Sequence, residues 1–397
     1  MKREKKDDES EKAGEEKYDF IIFGGTGLQG RICARDLLES GYSVLLIGRD
    51  PSGIKDLLKN KRSGFERVDL RDEKSISEVI KNSGAKIVVN CAELTFNVPI
   101  MNACLKAGKS LTDLGGLQKI TREQFTLNEK FKKARILCIT GCGSTPGIVN
   151  VMAAHTIKNF DSVDSITLGF AWDSNIKKFV IPYSVQSIFD EFTQEPITFH
   201  NGKFVKENRM RCQGTFNLKA VGKQTVYCIV HSEVYTFPRY FKNKGLKNIR
   251  YMAGFPEHSM KVIRMLMDLS FNSKEEIEIN GVKIRPIDFT LNILKKIKIP
   301  KNYKEIENLW VNAAGVKNGK NVSSEMNCII ETTDGWENAG SNVDTGRTIS
   351  IISQMLFKGL IKERGVYAPE EVIPEKEFFN ELAKRKMFVY ENGMRIN

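Results

Sequence analysis

The chain has 397 residues, 41% of them hydrophobic and 28% charged, which fits roughly two to four globular units and excludes a fibrous or wholly disordered chain. No apolar run approaches the roughly 18 residues a membrane helix needs, and no apolar signal segment stands near the amino terminus, so the expected setting is the cytoplasm, away from any membrane. The formal charge of +12 comes with no nucleic-acid-binding motif; it reads as a solvated surface, with no nucleic-acid partner, and Lys295, Lys296, Lys298, Lys301 and Lys304 form a modest cluster in it.

Residues 1–17 carry six basic and seven acidic side chains and are expected to be a disordered tail, because they cannot bury apolar surface. From Tyr18 the pattern changes. The stretches YDFIIFG, YSVLLIG, FERVDL, AKIVVNCA, SLTDL and RILCIT read as strands, and helical stretches such as GLQGRICARDLLES and EKSISEVIKN alternate with them. Strands and helices alternating at this length predict an α/β fold, a Rossmann doubly wound parallel sheet over residues 18–147. The eight cysteines are scattered, with no C-x-x-C pair, so reduced thiols are expected rather than a disulfide scaffold, and the four distant histidines predict no metal site.

The first strand runs into Gly25-Thr26-Gly27-Leu28-Gln29-Gly30, a G-x-G-x-x-G opening a helix. Gly25 allows the tight turn, Gly27 lets backbone approach a pyrophosphate, and Gly30 lets helix and strand pack closely. The helix amino terminus then offers free N–H groups to phosphate. The second strand ends in Gly48-Arg49-Asp50. Arg49 stands where a guanidinium pairs with a 2′-phosphate, so NADP is favoured; Asp50 keeps NAD possible. Asp69, read as ending the third strand, is placed to meet the adenine amino group.

In an open parallel sheet, ligands lie beyond the carboxyl ends of the strands. Three segments qualify: Asn90-Cys91-Ala92-Glu93, Thr112-Asp113-Leu114-Gly115-Gly116 and Gly141-Cys142-Gly143-Ser144-Thr145-Pro146-Gly147. Asn90, Cys91, Ala92 and Pro146 are expected around the nicotinamide. Asp113 and Glu93 are the candidate catalytic carboxylates, placed to hold or deprotonate an amine. Cys142 reads as a packed thiol.

After Gly147 the rhythm changes. A helix, IVNVMAAHTIKN, leads to a long strand, SVDSITLGFA, and Asn-Gly dipeptides at 201–202, 280–281 and 318–319 stand between extended segments. Asn-Gly suits a two-residue type I′ turn, so a second α+β unit with a mainly antiparallel sheet is expected over 148–335. The helices SVQSIFDEF, HSMKVIRMLMDL and IDFTLNILKKI should cover one of its faces. His231-Ser232, at the end of TVYCIV, and Arg250 are candidate substrate-binding residues with Thr145. Residues 336–397 hold an amphipathic helix, TGRTISIISQMLFKGLIKERG, and a final helix, EKEFFNELAKRK.

The combination of GGTGLQG, VVNCAE, LTDLGG and GCGSTPGIVN resembles the saccharopine dehydrogenase superfamily. HSEVYTFPR, EINGVKIRP and the terminal GRTISIISQMLFKGLIKERGVYAPEEV are most similar to its lysine 6-dehydrogenase-type branch. The resemblance implies a discontinuous nucleotide domain, with the C-terminal segment returning to the first unit, and a second domain that binds a small amino-acid substrate and forms a homodimer. It also implies hydride transfer at a carbon–nitrogen bond: lysine ε-deamination, saccharopine-type imine reduction, or carboxylated polyamine formation by the same reductive condensation. Lysine 6-dehydrogenase-like proteins favour NAD, whereas Gly48-Arg49 resembles the NADP pattern of saccharopine reductases. Those reductases carry an acidic residue before Pro-Gly, where this chain has Thr145, and an apolar or aromatic element where it has Glu93. The alternative from another class is a non-catalytic NADP(H)-binding sensor or scaffold.

Overall fold

The structure, a computed structural model, describes residues 18–180, 185–208 and 211–397; the charged amino-terminal tail lies outside the described residues. The first unit runs β1 (Phe20–Phe23), α1 (Leu28–Glu39), β2 (Val44–Gly48), β3 (Ser63–Arg67), α2 (Glu73–Asn82), β4 (Ile87–Asn90), α3 (Asn97–Ala107), β5 (Ser110–Asp113), α4 (Gln118–Phe125), α5 (Asn128–Ala134) and β6 (Leu137–Thr140). β1, β4 and β6 are buried along their whole length and apolar up to the Asn90 and Thr140 that end β4 and β6, as strands of a parallel sheet covered on both faces must be. All six pair in parallel.

The second unit continues with α6 (Ile148–Lys158), β7 (Ser162–Ser174), α7 (Val185–Thr193), β8 (Ile197–His200), β9 (Lys203–Lys206), β10 (Gln213–Leu218), β11 (Gly222–Cys228), α8 (Glu233–Tyr240), β12 (Asn248–Gly254), α9 (Glu257–Asp268), β13 (Ile277–Ile279), β14 (Val282–Ile284), α10 (Pro286–Leu294), β15 (Glu305–Lys317) and β16 (Lys320–Glu331). The chain ends with α11 (Val343–Phe357), β17 (Gly365–Tyr367), α12 (Pro369–Val372), α13 (Glu375–Lys384), β18 (Phe388–Glu391) and β19 (Met394–Arg395).

The second sheet has the order β10-β11-β12-β7-β15-β16-β18-β19, with β8 and β9 branching from β12. β12 pairs with β7 in parallel and the other pairs are antiparallel. Each of the three Asn-Gly dipeptides closes a hairpin, with both residues at positive φ. Asn392-Gly393 closes a fourth, between β18 and β19, which the sequence reading missed. The nearly all-buried α6 packs on β7, β15 and β16, and its apolar side chains belong to one core that continues into the first sheet. The expected helical cover needs one correction. α7 and α9 send side chains into that core, but α10 does not; its Ile287 and Leu294 pack on Val185 and Phe189 of α7.

The C-terminal segment divides between the two sheets. α11 packs on α1, β4 and β5, and Gly346 makes the close approach possible, since a Cβ there would lie 2.5 Å from Ile32. β17 then pairs in parallel with β6, giving the seven-stranded order β17-β6-β5-β4-β1-β2-β3. The end of the segment departs from the expected return to the first unit: β18 pairs with β16 and extends the second sheet, because its alternating FVYE pattern suits an antiparallel edge. A buried ion pair ties the far end back to the first helix. Arg385 donates from Nε and Nη2 to the two oxygens of Asp36, both at 2.8 Å, and Ser350 Oγ donates to Asp36 at 2.6 Å. Arg385→Ala would leave Asp36 charged and buried without its partner. The expected loss is about 3–5 kcal/mol, measurable as a lower denaturant midpoint with an unchanged m-value; a midpoint within experimental error of the parent would dismiss the clamp.

The thiol expectation is corrected at one place. Cys212 and Cys228 form a disulfide, because the β10–β11 register that pairs Gln213 with Tyr227 puts the two residues side by side, with the Cys228 N–H donating to the Cys212 carbonyl. No described helix is long and apolar enough to cross a membrane.

Candidate active site

The glycine-rich turn is shaped by contacts that only glycine permits. Gly24 sits at φ +70°, and a Cβ there would lie 2.6 Å from the Cys91 carbonyl; a Cβ on Gly30 would lie 2.2 Å from the Gly24 carbonyl. The turn is closed by Gly25 N–H donating to Ile47 and Gly27 N–H donating to Gly24, both at 2.9 Å. α1 starts directly at Leu28, with Gly27 extended at its cap and no side chain capping it. Its first-turn N–H groups therefore have no intrahelical partner and suit a pyrophosphate. Thr26 lies against Gly48, where a Cβ would come within 2.5 Å of its hydroxyl. Gln29 reaches across to Asn342, just before α11, at 3.2 Å.

At the end of β2, Arg49 is exposed, and no described residue makes a hydrogen bond or ion pair to it. Asp50 is occupied. It accepts from Ser52 N–H at 2.9 Å and Ser52 Oγ at 2.7 Å, which holds its carboxyl below the ordinary range. The acidic group that would favour a free ribose hydroxyl is thus turned into its own loop, and the guanidinium is left facing solvent. Asp69 is a correction: β3 ends at Arg67, and Asp69 lies beyond it, exposed and bound to Arg71. The turn and Arg49 together fit a dinucleotide carrying a 2′-phosphate.

The chemistry converges on the loop after β6. The Thr145 hydroxyl donates to Glu233 Oε1 at 2.9 Å and meets the Tyr251 hydroxyl. His231 Nδ1 meets Glu233 Oε2, which also accepts from Ser232 Oγ at 3.3 Å. The His231 ring lies flat on Tyr251, with centroids 3.9 Å apart and planes at 8°. Glu233 is wholly buried, and Tyr251 and His231 are nearly so. Burial, followed by the Glu233 charge, pushes the Tyr251 phenol well up, so Tyr251 keeps its proton and donates to Thr145. The result is a chain from Tyr251 to Thr145 to Glu233, with His231 bound to the same carboxyl. It is built from the β6 loop, the β11–α8 junction and β12.

Thr145, Pro146, His231 and Ser232 are thus brought together from the expected set. Thr145-Pro146 is a cis peptide, and Pro146 packs beside Gly115 and Gly141. Cys91 and Ala92 adjoin the glycine turn. Arg250 is not in the group. It is exposed, because neighbours on β12 point to opposite faces and Tyr251 takes the inner one.

Asp113 is also misplaced for contact with a substrate. It is fully buried, and its oxygens accept from Gly115 N–H at 2.7 Å, Gln124 Nε2 at 2.6 Å and Thr140 Oγ1 at 2.9 Å. Burial raises its pKa to about 6 against those hydrogen bonds. Asn90 belongs to the same network, donating to Asn97, which donates to Gln124. Both residues brace the strand ends. Glu93 stands exposed at the mouth, between β4 and a short turn of helix, and no described residue pairs with its carboxylate.

Three groups the sequence reading did not single out complete the site: Glu307, Asp344 and Glu370. Glu307 on β15 and Asp344 at the start of α11 are both buried. Burial raises both, Asp344 to about 7, and the Asp344 charge adds to the rise of Glu307. Asp344 adjoins the loop: Thr345 and Ser144 join hydroxyls at 2.9 Å. Glu191 and Glu307 both stand close enough to Tyr251 to raise it further. Glu370, just after β17, accepts from Asn150 Nδ2 at 2.7 Å, and Asn150 accepts from Gly147 N–H at 2.8 Å. Burial holds Glu370 up to about 8.

Residues 20–139 match the family model for the saccharopine dehydrogenase NADP binding domain, and residues 143–387 match the one for the saccharopine dehydrogenase C-terminal domain. Curated relatives include carboxyaminopropylagmatine dehydrogenase of Synechocystis sp., 22% identical with 89% of this chain and 93% of that protein covered. Another is carboxynorspermidine synthase of Vibrio alginolyticus, 24% identical with 81% of each covered. Among solved structures, apo histidine-tagged saccharopine dehydrogenase (L-Glu forming) from Saccharomyces cerevisiae superposes with a TM-score of 0.75 at 14% identity, over 96% of this chain and 100% of that one; the likeness shows a shared fold. With a glycine turn and a free Arg49 that suit a 2′-phosphorylated dinucleotide, and both family domains matched in order, this chain belongs to the saccharopine dehydrogenase family and is an NADP-dependent oxidoreductase.

Proposed function

We propose that the protein reduces the carbon–nitrogen double bond formed between an amino-acid semialdehyde and a primary amine of a diamine or polyamine, giving a carboxylated secondary amine. The observation that carries this reading is the set of carboxylates around the proton-handling chain. Glu191, Glu233 and Glu307 stand about Tyr251 and Asp344 adjoins Glu307. Such an array draws an amine cation out of water and keeps it oriented. The names of the Synechocystis and Vibrio relatives, a carboxyaminopropylagmatine dehydrogenase and a carboxynorspermidine synthase, support the same product class.

NADPH, when bound, supplies the hydride that the imine carbon receives. The first turn of α1 holds the pyrophosphate and Arg49 the 2′-phosphate. With Nδ1 engaged by Glu233, His231 has Nε2 left to give a proton to the imine nitrogen, which leaves a neutral amine as the carbon is reduced. Glu233 holds the ring by Nδ1 and keeps it oriented for the transfer. Thr145, itself held by Tyr251, keeps the second oxygen of Glu233 in place, and the burial of His231, Glu233 and Tyr251 excludes water from the transfer. In the same reading the protein works in the cytoplasm as a homodimer, with a nucleotide unit over 18–147, a substrate unit over 148–335 and a C-terminal segment over 336–397.

The test follows nicotinamide absorbance with purified protein. NADPH should be consumed when an amino-acid semialdehyde is offered together with diaminopropane, putrescine or agmatine, and not with either component alone. Reduction of NADP by lysine alone would reassign the protein to ε-deamination, and reduction by saccharopine alone to the saccharopine branch. Silence across the panel with NADPH still bound would favour the sensor reading.

A further inference from the structure

Glu370 lies outside the chain from Tyr251 to Thr145 to Glu233, yet it joins the two elements that meet there. It sits on α12, the short helix after β17, and is 3% exposed. α12 packs on both α6 and α8. Its first residue, Pro369, comes up to the loop after β6, where a Cβ on Gly141 would lie 3.8 Å from the proline ring. Toward α6, Asn150 relays the contact. Its Nδ2 donates to Glu370 Oε2 at 2.7 Å, and its Oδ1 accepts from Gly147 N–H at 2.8 Å, so both ends of the amide are committed.

Gly147 closes the loop that carries Thr145. Gly143 N–H donates to the Pro146 carbonyl at 2.7 Å, and Gly147, at φ +140°, passes so near Gly143 that a Cβ would lie 1.7 Å from its carbonyl. The loop is therefore a tight ring, and Asn150 fixes its orientation at the point of closure. Toward α8, Glu370 stands beside Thr236, which lies one turn on from Glu233 and on the same side of that helix. Glu370 Oε1 and the Thr236 hydroxyl are both buried, and neither has another hydrogen-bond partner among the described residues.

We propose that Glu370 is a positioning residue, which holds the Thr145 loop and the head of α8 at the spacing that the Thr145–Glu233 hydrogen bond needs. Those two partners come from segments 88 residues apart, and a displacement of about 1 Å between groups of an active site can cost on the order of 100-fold in rate. The inference rests on the proton-handling chain of the proposed function but not on the identity of the substrate.

The same placement makes the alignment sensitive to pH. Burial, and then the charge of Glu371 beside it, hold Glu370 up to about 8, so it keeps its proton at neutral pH and loses it above. Once ionised it is a second negative charge in a dry place, a cost that α12 relieves by moving outward and releasing Asn150. The charges on the packed elements are engaged elsewhere. Arg239 on α8 acts on Glu371, Glu233 is bound by Thr145 and His231, and Lys158 and His155 on α6 pair with Glu375. Tyr240, at the end of α8, is raised by burial and stays neutral.

The test uses the full chain loaded with NADP and labelled with nitrogen-15 in its four histidines. In the parent, the His231 ring resonances, assigned by their loss in His231→Asn, should shift with an inflection near pH 8, and Glu370→Gln should abolish that inflection. Glu370→Ala should lower kcat about 10–100-fold with KM values within about threefold of the parent. Glu370→Gln, which keeps an acceptor for Asn150 and a polar group beside Thr236, should recover the loss at neutral pH and remove the parent's alkaline fall in kcat. An inflection that survives in Glu370→Gln would overturn the proposal, as would a folded Glu370→Ala protein whose kcat stays within about threefold of the parent. A parent inactive on semialdehyde and amine, with the His231 inflection present and lost in Glu370→Gln, would sink the substrate reading and support this one.

Discussion

Glu233→Gln lowers kcat for imine reduction by about 10²–10⁴-fold, the usual worth of a positioned acid–base group, while the Kd for NADPH stays within about twofold. The carboxyl accepts from Thr145 on one oxygen and from His231 and Ser232 on the other. An amide in its place must turn an NH₂ group toward one of those donors, so at least one contact becomes a clash of like dipoles. His231 then loses both its orientation and its carboxylate partner. His231→Asn should cost about as much, and the double variant little more than either single one, since the two act as one unit. The nucleotide contacts lie on the glycine turn and Arg49, away from this group, so cofactor binding is the control. A kcat within tenfold of the parent in a Glu233→Gln protein of normal stability would move the proton donor elsewhere.

The group could be partly read from the sequence, and the reason for the gap is physical. His231-Ser232 at the end of a strand, and Thr145 in a glycine-rich loop before a helix, stood out because polar residues there have no packing role. Glu233 directly follows them but reads equally well as the first residue of a helix, where acidic side chains are favoured by the helix dipole. Tyr251 sits in NIRYMAG, where a buried aromatic is indistinguishable from core until the strand's facing is known; the same facing removes Arg250. Asp113 was misjudged for a related reason. A carboxylate at a strand end can face the ligand or cap the neighbouring turns, and the donors that decide it, Gln124 and Thr140, come from segments far along the chain.

The fold was more legible than the site. Six parallel strands and the Asn-Gly hairpins followed from local pattern, because buried parallel strands and positive-φ turns leave strong marks in composition. The division of the C-terminal segment did not. GVY is too short to declare itself a strand, and it becomes one only because the edge of β6 is open to it. Nor could spacing show that Cys212 meets Cys228, since that depends on the register of two strands. The acidic residues Glu307, Asp344 and Glu370 look like any surface carboxylates until the packing of β15, α11 and α12 buries them.

Arg49→Asp should reverse the cofactor preference, shifting the ratio of kcat/KM for NADPH over NADH by at least about 100-fold. A charge-assisted hydrogen bond contributes about 1.5–3 kcal/mol, and a guanidinium holding the 2′-phosphate can make two. Losing them and adding a repelling carboxylate penalises NADPH, while the new Asp can accept from the free ribose hydroxyls of NADH. Asp50 does not already do this, because Ser52 occupies both of its oxygens. Arg49→Ala should fall between the parent and the Asp variant, separating lost attraction from added repulsion. The effect on NADPH should shrink as salt rises, because the contact is at an exposed position where screening acts. Arg67, at the end of β3, is another candidate to read the phosphate: it is exposed and close enough to Asp50 to lower its pKa. A ratio unchanged within threefold in Arg49→Asp, together with a large fall in Arg67→Ala, would assign the phosphate to β3 rather than β2.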